Sequence, residues 1–149
     1  MKILYTAFKG KTNSSKILLD CIKNNNNNKL YLTNSFNSSV RELINEINNN
    51  YDLIISFGQA PLNKDTIKIE TVSSTYKTNY DYTNLKNKLE KSYKVIISNN
   101  AGNYLCNNVY YNGLRYIKEN NLNTKMIFIH IPKINSISNI TNLSKMFEE

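Results

Sequence analysis

A single α/β domain over residues 1–149, three-layered (α/β/α) with a mostly parallel central sheet, is predicted by three observations. Short apolar, β-branched runs recur along the chain, and segments with helical apolar spacing lie between most of them. A chain of 149 residues with 40% hydrophobic content closes one core and is too short for two independent ones. Strands alternating with helices favour parallel neighbours in a sheet covered on both faces.

Strands are predicted at 2–8, 29–33, 52–58, 67–72, 94–98 and 125–131. The runs at 52–58 and 94–98 are nearly continuous in apolar residues, which predicts central places in the sheet. Ile17, Leu18, Cys21 and Ile22 form a helical stripe behind Ser14 and Ser15 as capping residues. Val40, Leu43, Ile44 and Ile47 form another behind Ser38 and Ser39. Leu85 and Leu89 mark a third helix, and Leu105, Val109, Leu114 and Ile117 a fourth over about 103–120. A short fifth helix is expected within 142–149.

The formal net charge of +8 raises nucleic-acid binding as a function. The lysines are scattered among Asn, Ile and Tyr, and Arg41 and Arg115 are the two arginines, so no basic helix face or arginine cluster supports it. No nucleic-acid partner is therefore expected. The asparagine runs at 24–28 and 48–50 read as solvated connectors. No apolar run approaches the roughly 18 to 20 residues that cross a bilayer, and the first residues read as a strand without an export signal, so no membrane partner is expected. Cys21 and Cys106 form neither a disulfide framework nor the spacing of a zinc site. Both read as free thiols in a reducing compartment, which predicts a cytoplasmic protein with no cofactor.

Ligands of such sheets gather at the carboxyl ends of strands. Three segments carry chemistry there. In Val95-Ile96-Ile97-Ser98-Asn99-Asn100-Ala101-Gly102-Asn103-Tyr104-Leu105-Cys106, a strand runs through a polar turn into a helix whose opening turn holds Cys106. Unpaired N–H groups and the positive end of the helix dipole favour thiolate there and can receive an oxyanion. The other reading is a small buried hydrophobe on the inner face of the helix. His130, the sole histidine, ends the apolar run Met126-Ile127-Phe128-Ile129, and Pro132 stops the strand. It is either a base for a thiol or a core histidine satisfied by backbone. Glu70 interrupts the apolar alternation Ile67-Lys68-Ile69, so it either faces solvent or is a buried carboxylate in need of a partner. A carboxylate on one imidazole nitrogen would complete a triad.

These residues resemble the type I pyroglutamyl peptidases, also called pyrrolidone-carboxylate peptidases, a family of cysteine peptidases. The resemblance rests on Ser98-Asn99-Asn100-Ala101-Gly102-Asn103-Tyr104-Leu105-Cys106-Asn107 and on Phe128-Ile129-His130-Ile131-Pro132. Gly58-Gln59-Ala60, the glutamate segment ending at Glu70, the opening strand and Asn13-Ser14-Ser15 agree in kind and in order. The resemblance implies an α/β/α exopeptidase that removes an N-terminal pyroglutamyl (5-oxoprolyl) residue through a thiol-acyl intermediate. It implies Cys106 as nucleophile, His130 as proton shuttle and Glu70 as the group that orients His130. Phe8, Gln59, Tyr104 and Leu105 are the implied contacts of the lactam ring, peptides with a blocked N-terminus are the implied partners, and a homo-oligomer is the implied assembly.

The chain departs from the family pattern at several places. The glycine-rich segment after the first strand is reduced to Lys9-Gly10-Lys11-Thr12. Pro61-Leu62-Asn63 replaces Gly-Gly-Arg, and the family's arginine after the glutamate is absent. These losses leave an alternative open: a non-catalytic or altered-specificity relative that binds peptides through a remodelled cleft.

Overall fold

The computed structural model describes residues 1–23 and 28–149. The asparagine run read as a connector lies, over 24–27, outside the described residues. The chain forms β1 (Ile3–Phe8), α1 (Ser14–Cys21), β2 (Asn28–Leu32), α2 (Phe36–Ile47), β3 (Leu53–Gln59) and β4 (Thr66–Glu70). Next come a small hairpin of β5 (Val72–Ser73) and β6 (Tyr76–Lys77), then α3 (Thr83–Glu90), β7 (Lys94–Ser98) and α4 (Leu105–Glu119). The chain closes with β8 (Lys125–Ile131), a 3-10 turn (Ile134–Ser136) and α5 (Ile140–Met146). Among the described residues no helix is long and apolar enough to cross a membrane.

Six strands build the sheet in the order β2-β1-β3-β8-β4-β7. All neighbours are parallel except β4 and β8, so the β4–β7 pair runs against the other four strands. Alternation along each strand divides the core between the two faces. Tyr5, Ile55, Phe57, Ile69, Ile127 and Ile129 pack with α1, α3 and α5 on one face. Leu4, Phe8, Ile54, Met126 and Phe128 pack with α2 and α4 on the other. The three layers predicted from the alternation are present.

Two expectations are corrected. β7 lies at the edge, its one strand partner among the described residues being β4, and Ile96 and Ile97 are 37% and 40% exposed. A continuous apolar run reports what surrounds a strand, whereas strand order is set by pairing. The helix caps also differ. Asn13 caps α1, its side chain accepting from Ser15 N–H at 2.9 Å, and Ser35 caps α2, accepting from Ser38 N–H. Asn13 stands directly ahead of Ser14 and Ser35 three residues ahead of Ser38, and both serine pairs are themselves part of the helices.

α4 lies close against the sheet at Gly113. A Cβ there would meet Met126 Sδ at 2.6 Å and Leu43 Cδ2 at 3.1 Å. The close approach at mid-helix sets the depth at which the start of α4, with Cys106, meets the sheet.

Candidate active site

Period-two alternation brings Glu70, Lys68, Phe128, His130 and Gly58 to the face that carries α4. Gly58 pairs in register with His130 across β3 and β8. Lys68 pairs with His130, and Glu70 with Phe128, across β8 and β4. Glu70 is therefore the diagonal neighbour of His130 on the same face. Its Oε2 lies 3.7 Å from His130 Nδ1, with Glu70 fully buried and His130 8% exposed. Neither carboxylate oxygen of Glu70 has a hydrogen-bond partner among the described residues. A buried carboxylate without partners is costly, and the imidazole is the group positioned to relieve it. The alternative in which Glu70 faces solvent is excluded. The Glu70 main chain is held from α4, because the Tyr110 hydroxyl donates to its carbonyl at 2.7 Å.

Cys106 arrives from the opposite side. After β7 the chain turns at Asn100-Ala101-Gly102, where Gly102 has φ +87° and donates its N–H to Asn100 Oδ1 at 2.9 Å. Tyr104 then takes extended backbone as the N-cap of α4 and supplies no side-chain cap. The first N–H groups of the helix are thus left beside Cys106, in its opening turn. The sulfur rests over Gly58, where a Cβ would come within 2.6 Å of Cys106 Sγ and 3.0 Å of the Phe128 ring. Only glycine leaves room for the thiol at this point of the sheet, next to the His130 column.

Electrostatics at the sulfur oppose a free thiolate. Burial, then the Glu70 carboxylate, push the Cys106 thiol up to about 12, while its own backbone N–H pulls it down by less. Burial and the Glu70 carboxylate thus outweigh the pull of the helix start on the thiol. Ionisation of Cys106 needs a partner that takes the proton as the sulfur reacts. His130 is the imidazole that shares the cleft with Cys106.

The groove around Cys106 has two parts. A cleft of about 370 Å³ is lined by Cys106 and all four expected ring contacts, Phe8, Gln59, Tyr104 and Leu105, together with Phe36. Phe8 is buried, whereas Phe36 and Tyr104 are 52% and 81% exposed at the rim. A second cleft of about 250 Å³ shares Cys106, Gln59 and Tyr104 and adds His130, Lys68 and Asn100. The Asn13-Ser14-Ser15 segment braces both. Ser14 N–H donates to Gln59 Oε1 at 2.9 Å, and the Ser14 hydroxyl donates to the Pro132 carbonyl at 2.5 Å. Sequence reasoning missed Phe36, whose exposed ring carries no periodic signal. It also missed the part played by Gly58, which stands in a recognisable motif but makes room for a sulfur 48 positions away in the chain.

Known proteins similar to this chain fall in one group. The family model for pyroglutamyl peptidase matches residues 72–145, a span that holds Cys106 and His130 and begins just after Glu70. The pyrrolidone-carboxylate peptidase of Brachyspira hyodysenteriae is 38% identical over 78 residues, 52% of this chain and 38% of that relative. Pyrrolidone-carboxylate peptidase 2 of Caldanaerobacter subterraneus subsp. tengcongensis is 58% identical over 36 residues, 24% of this chain and 18% of the relative. The aligned stretches thus span well under two thirds of these relatives. The crystal structure of pyroglutamyl peptidase I from Bacillus amyloliquefaciens superposes with a TM-score of 0.79 at 17% identity, covering 97% of this chain and 92% of that one. A mutant pyrrolidone carboxyl peptidase from Pyrococcus furiosus superposes at 0.73 with 23% identity, covering 91% and 82%. Over residues 72–145 the chain is similar to the pyroglutamyl peptidase family, and it shares the fold of the solved pyroglutamyl peptidase structures.

Proposed function

We propose that this protein is a cysteine exopeptidase that removes an N-terminal pyroglutamyl residue from peptides, with Cys106 as nucleophile, His130 as acid and base, and Glu70 as the residue positioning His130. The observation that carries the proposal is the seat of Cys106 Sγ over Gly58, level in the sheet with His130, whose Nδ1 faces the buried Glu70 carboxylate at 3.7 Å. Because Nδ1 faces Glu70, Nε2 is the nitrogen left for the thiol and the leaving amine.

The pyroglutamyl ring enters the 370 Å³ cleft, where Phe8, Phe36 and Leu105 supply apolar contact and the Gln59 amide supplies a polar partner for the lactam. Cys106 Sγ attacks the acyl carbon as His130 takes the thiol proton, so no bare thiolate forms in the buried setting. The oxyanion is received by the N–H groups at the start of α4. Collapse of the tetrahedral species passes the proton from His130 to the leaving amine and leaves a thioester on Cys106. Water, deprotonated by His130, then releases pyroglutamate. Glu70 stabilises the imidazolium in both halves and keeps the ring in one tautomer.

The fitting assay is release of aminomethylcoumarin from its pyroglutamyl derivative. Turnover by the wild type that is lost in Cys106→Ala is expected, and absence of turnover at high enzyme concentration contradicts the proposal. A cytoplasmic location fits two cysteines that are both free thiols. Self-association fits the exposed edge strand β7, with Ile96 and Ile97 uncovered; sedimentation velocity, wild type against Ile97→Lys, tests it.

A further inference from the structure

Cys106 divides the groove into a side for the acyl group and a side for whatever leaves. The acyl side carries no formally charged side chain among its described lining residues. The other side, about 250 Å³, is lined by His130, by the carboxamides of Asn100 and Asn103, and by one ammonium, that of Lys68, with no acidic side chain among its described lining residues. Lys68 pairs in register with His130 across β4 and β8, so the two backbones are about 5 Å apart. Its side chain shares a face with Glu70 two residues on, yet the two form no ion pair. Lys68 is partly buried, and among the described residues it has no ion-pair partner and no side-chain hydrogen bond.

An ammonium without an ion-pair partner, on a partly buried lysine in a cleft lined otherwise by neutral donors and acceptors, is a strong partner for an anion. The position of that cleft determines which anion. His130 has to protonate the leaving amine, so the first residue of the leaving peptide lies beside His130 and within reach of the four-carbon stem of Lys68.

We propose that Lys68 is a specificity residue that selects leaving groups bearing a carboxylate next to the scissile bond. The carboxylate comes either from the free C-terminus of a pyroglutamyl dipeptide or from an acidic side chain on the first leaving residue. The identity of the acyl group and the placing of the leaving residue beside His130 rest on the function proposed above; the recruitment of a carboxylate rests only on the cleft.

Two pairs of substrates distinguish the sources. Pyroglutamyl-alanine against pyroglutamyl-alaninamide reads the free terminus, and pyroglutamyl-aspartyl amide against pyroglutamyl-asparaginyl amide reads the side chain. In Lys68→Met the acid-to-neutral ratio of kcat/KM falls about tenfold in the pair that uses the site, the loss of one charge-assisted contact, and Lys68→Arg keeps the ratio. An unchanged ratio in both pairs overturns the proposal. A readout that needs no peptidase activity runs alongside: the rate of Cys106 alkylation by anionic iodoacetate relative to neutral iodoacetamide, with Cys21 in the same molecule as reference. That relative rate drops in Lys68→Met if the cleft recruits carboxylates, and is equal in wild type and variant if it does not. If no pyroglutamyl substrate is turned over while the alkylation preference depends on Lys68, the pyroglutamyl reading fails and the carboxylate site stands.

Discussion

Glu70 reaches His130 from a strand that runs against it: its Oε2 lies 3.7 Å from His130 Nδ1 only because antiparallel β4 sets Lys68, not Glu70, directly opposite the histidine. The offset of two residues makes Glu70 a diagonal neighbour on the same face, beneath α4. The carboxylate has no hydrogen-bond partner among the described residues, so its charge is available to an imidazolium when one forms.

Glu70→Gln keeps the shape and removes that charge. The expected outcome is a loss in kcat of up to about 10⁴, the drop seen when the orienting carboxylate of a triad is made neutral. The melting temperature does not fall, because a buried charge without hydrogen bonds is removed at the same time. Steady-state kinetics and thermal unfolding of the one variant read both effects.

Gly58→Ala tests the seat of the sulfur. The added Cβ, 2.6 Å from Cys106 Sγ and 3.0 Å from the Phe128 ring, forces one of them to move. Displacement of the nucleophile by about 1 Å lowers kcat/KM roughly 10²-fold, and overpacking costs about 1 to 3 kcal/mol. Kinetics together with urea unfolding check the pair of effects.

The Cys106 thiol gives a pH signature. Its value in the folded chain is raised from 9.0 to about 12, so the folded state holds the proton more tightly than the unfolded state does. The resulting contribution to stability is complete below about pH 9 and is lost as pH rises toward about 12. The difference in unfolding free energy between wild type and Cys106→Ala, tracked by denaturant titration across that window, falls with rising pH. In His130→Ala, alkylation of Cys106 by iodoacetamide accelerates only at strongly alkaline pH, whereas in the wild type it proceeds near neutrality through the histidine.

Tyr110→Phe removes the buried donor to the Glu70 carbonyl. A carbonyl left without its partner costs about 1 to 3 kcal/mol, and a loosened Glu70 lowers kcat with little change in KM. Chemical denaturation and a KM-against-kcat comparison measure the two parts.

Much of this was legible in the chain itself. The β-branched runs and helical stripes place the main strands and helices to within a few residues, because burial on two faces and on one stripe leaves different periods. Cys106 and His130 were legible because each stands in a dense local motif at the carboxyl end of a strand. The reversal of β4 and β7 was not, since a strand's residues specify which face is buried but not the direction of its neighbour. The edge place of β7 was hidden for the same reason. Glu70 was legible only as a break in alternation, and its burial became visible once register put it beneath α4. The roles of Gly58 and Lys68 depend wholly on contacts between β3, β8, β4 and the start of α4, for which no local pattern exists. The raised thiol of Cys106 likewise comes from burial and from Glu70, 36 positions away in the chain.

The central claim is that Cys106 carries the acyl group. A single-turnover reaction with a pyroglutamyl peptide, quenched in acid and digested, tests it by mass spectrometry of the Cys106 peptide. The account predicts a pyroglutamyl thioester on Cys106 in the wild type, formed on the timescale of amine release and absent in His130→Ala. Release of the amine with no adduct on Cys106, or with the adduct on Cys21, would contradict it.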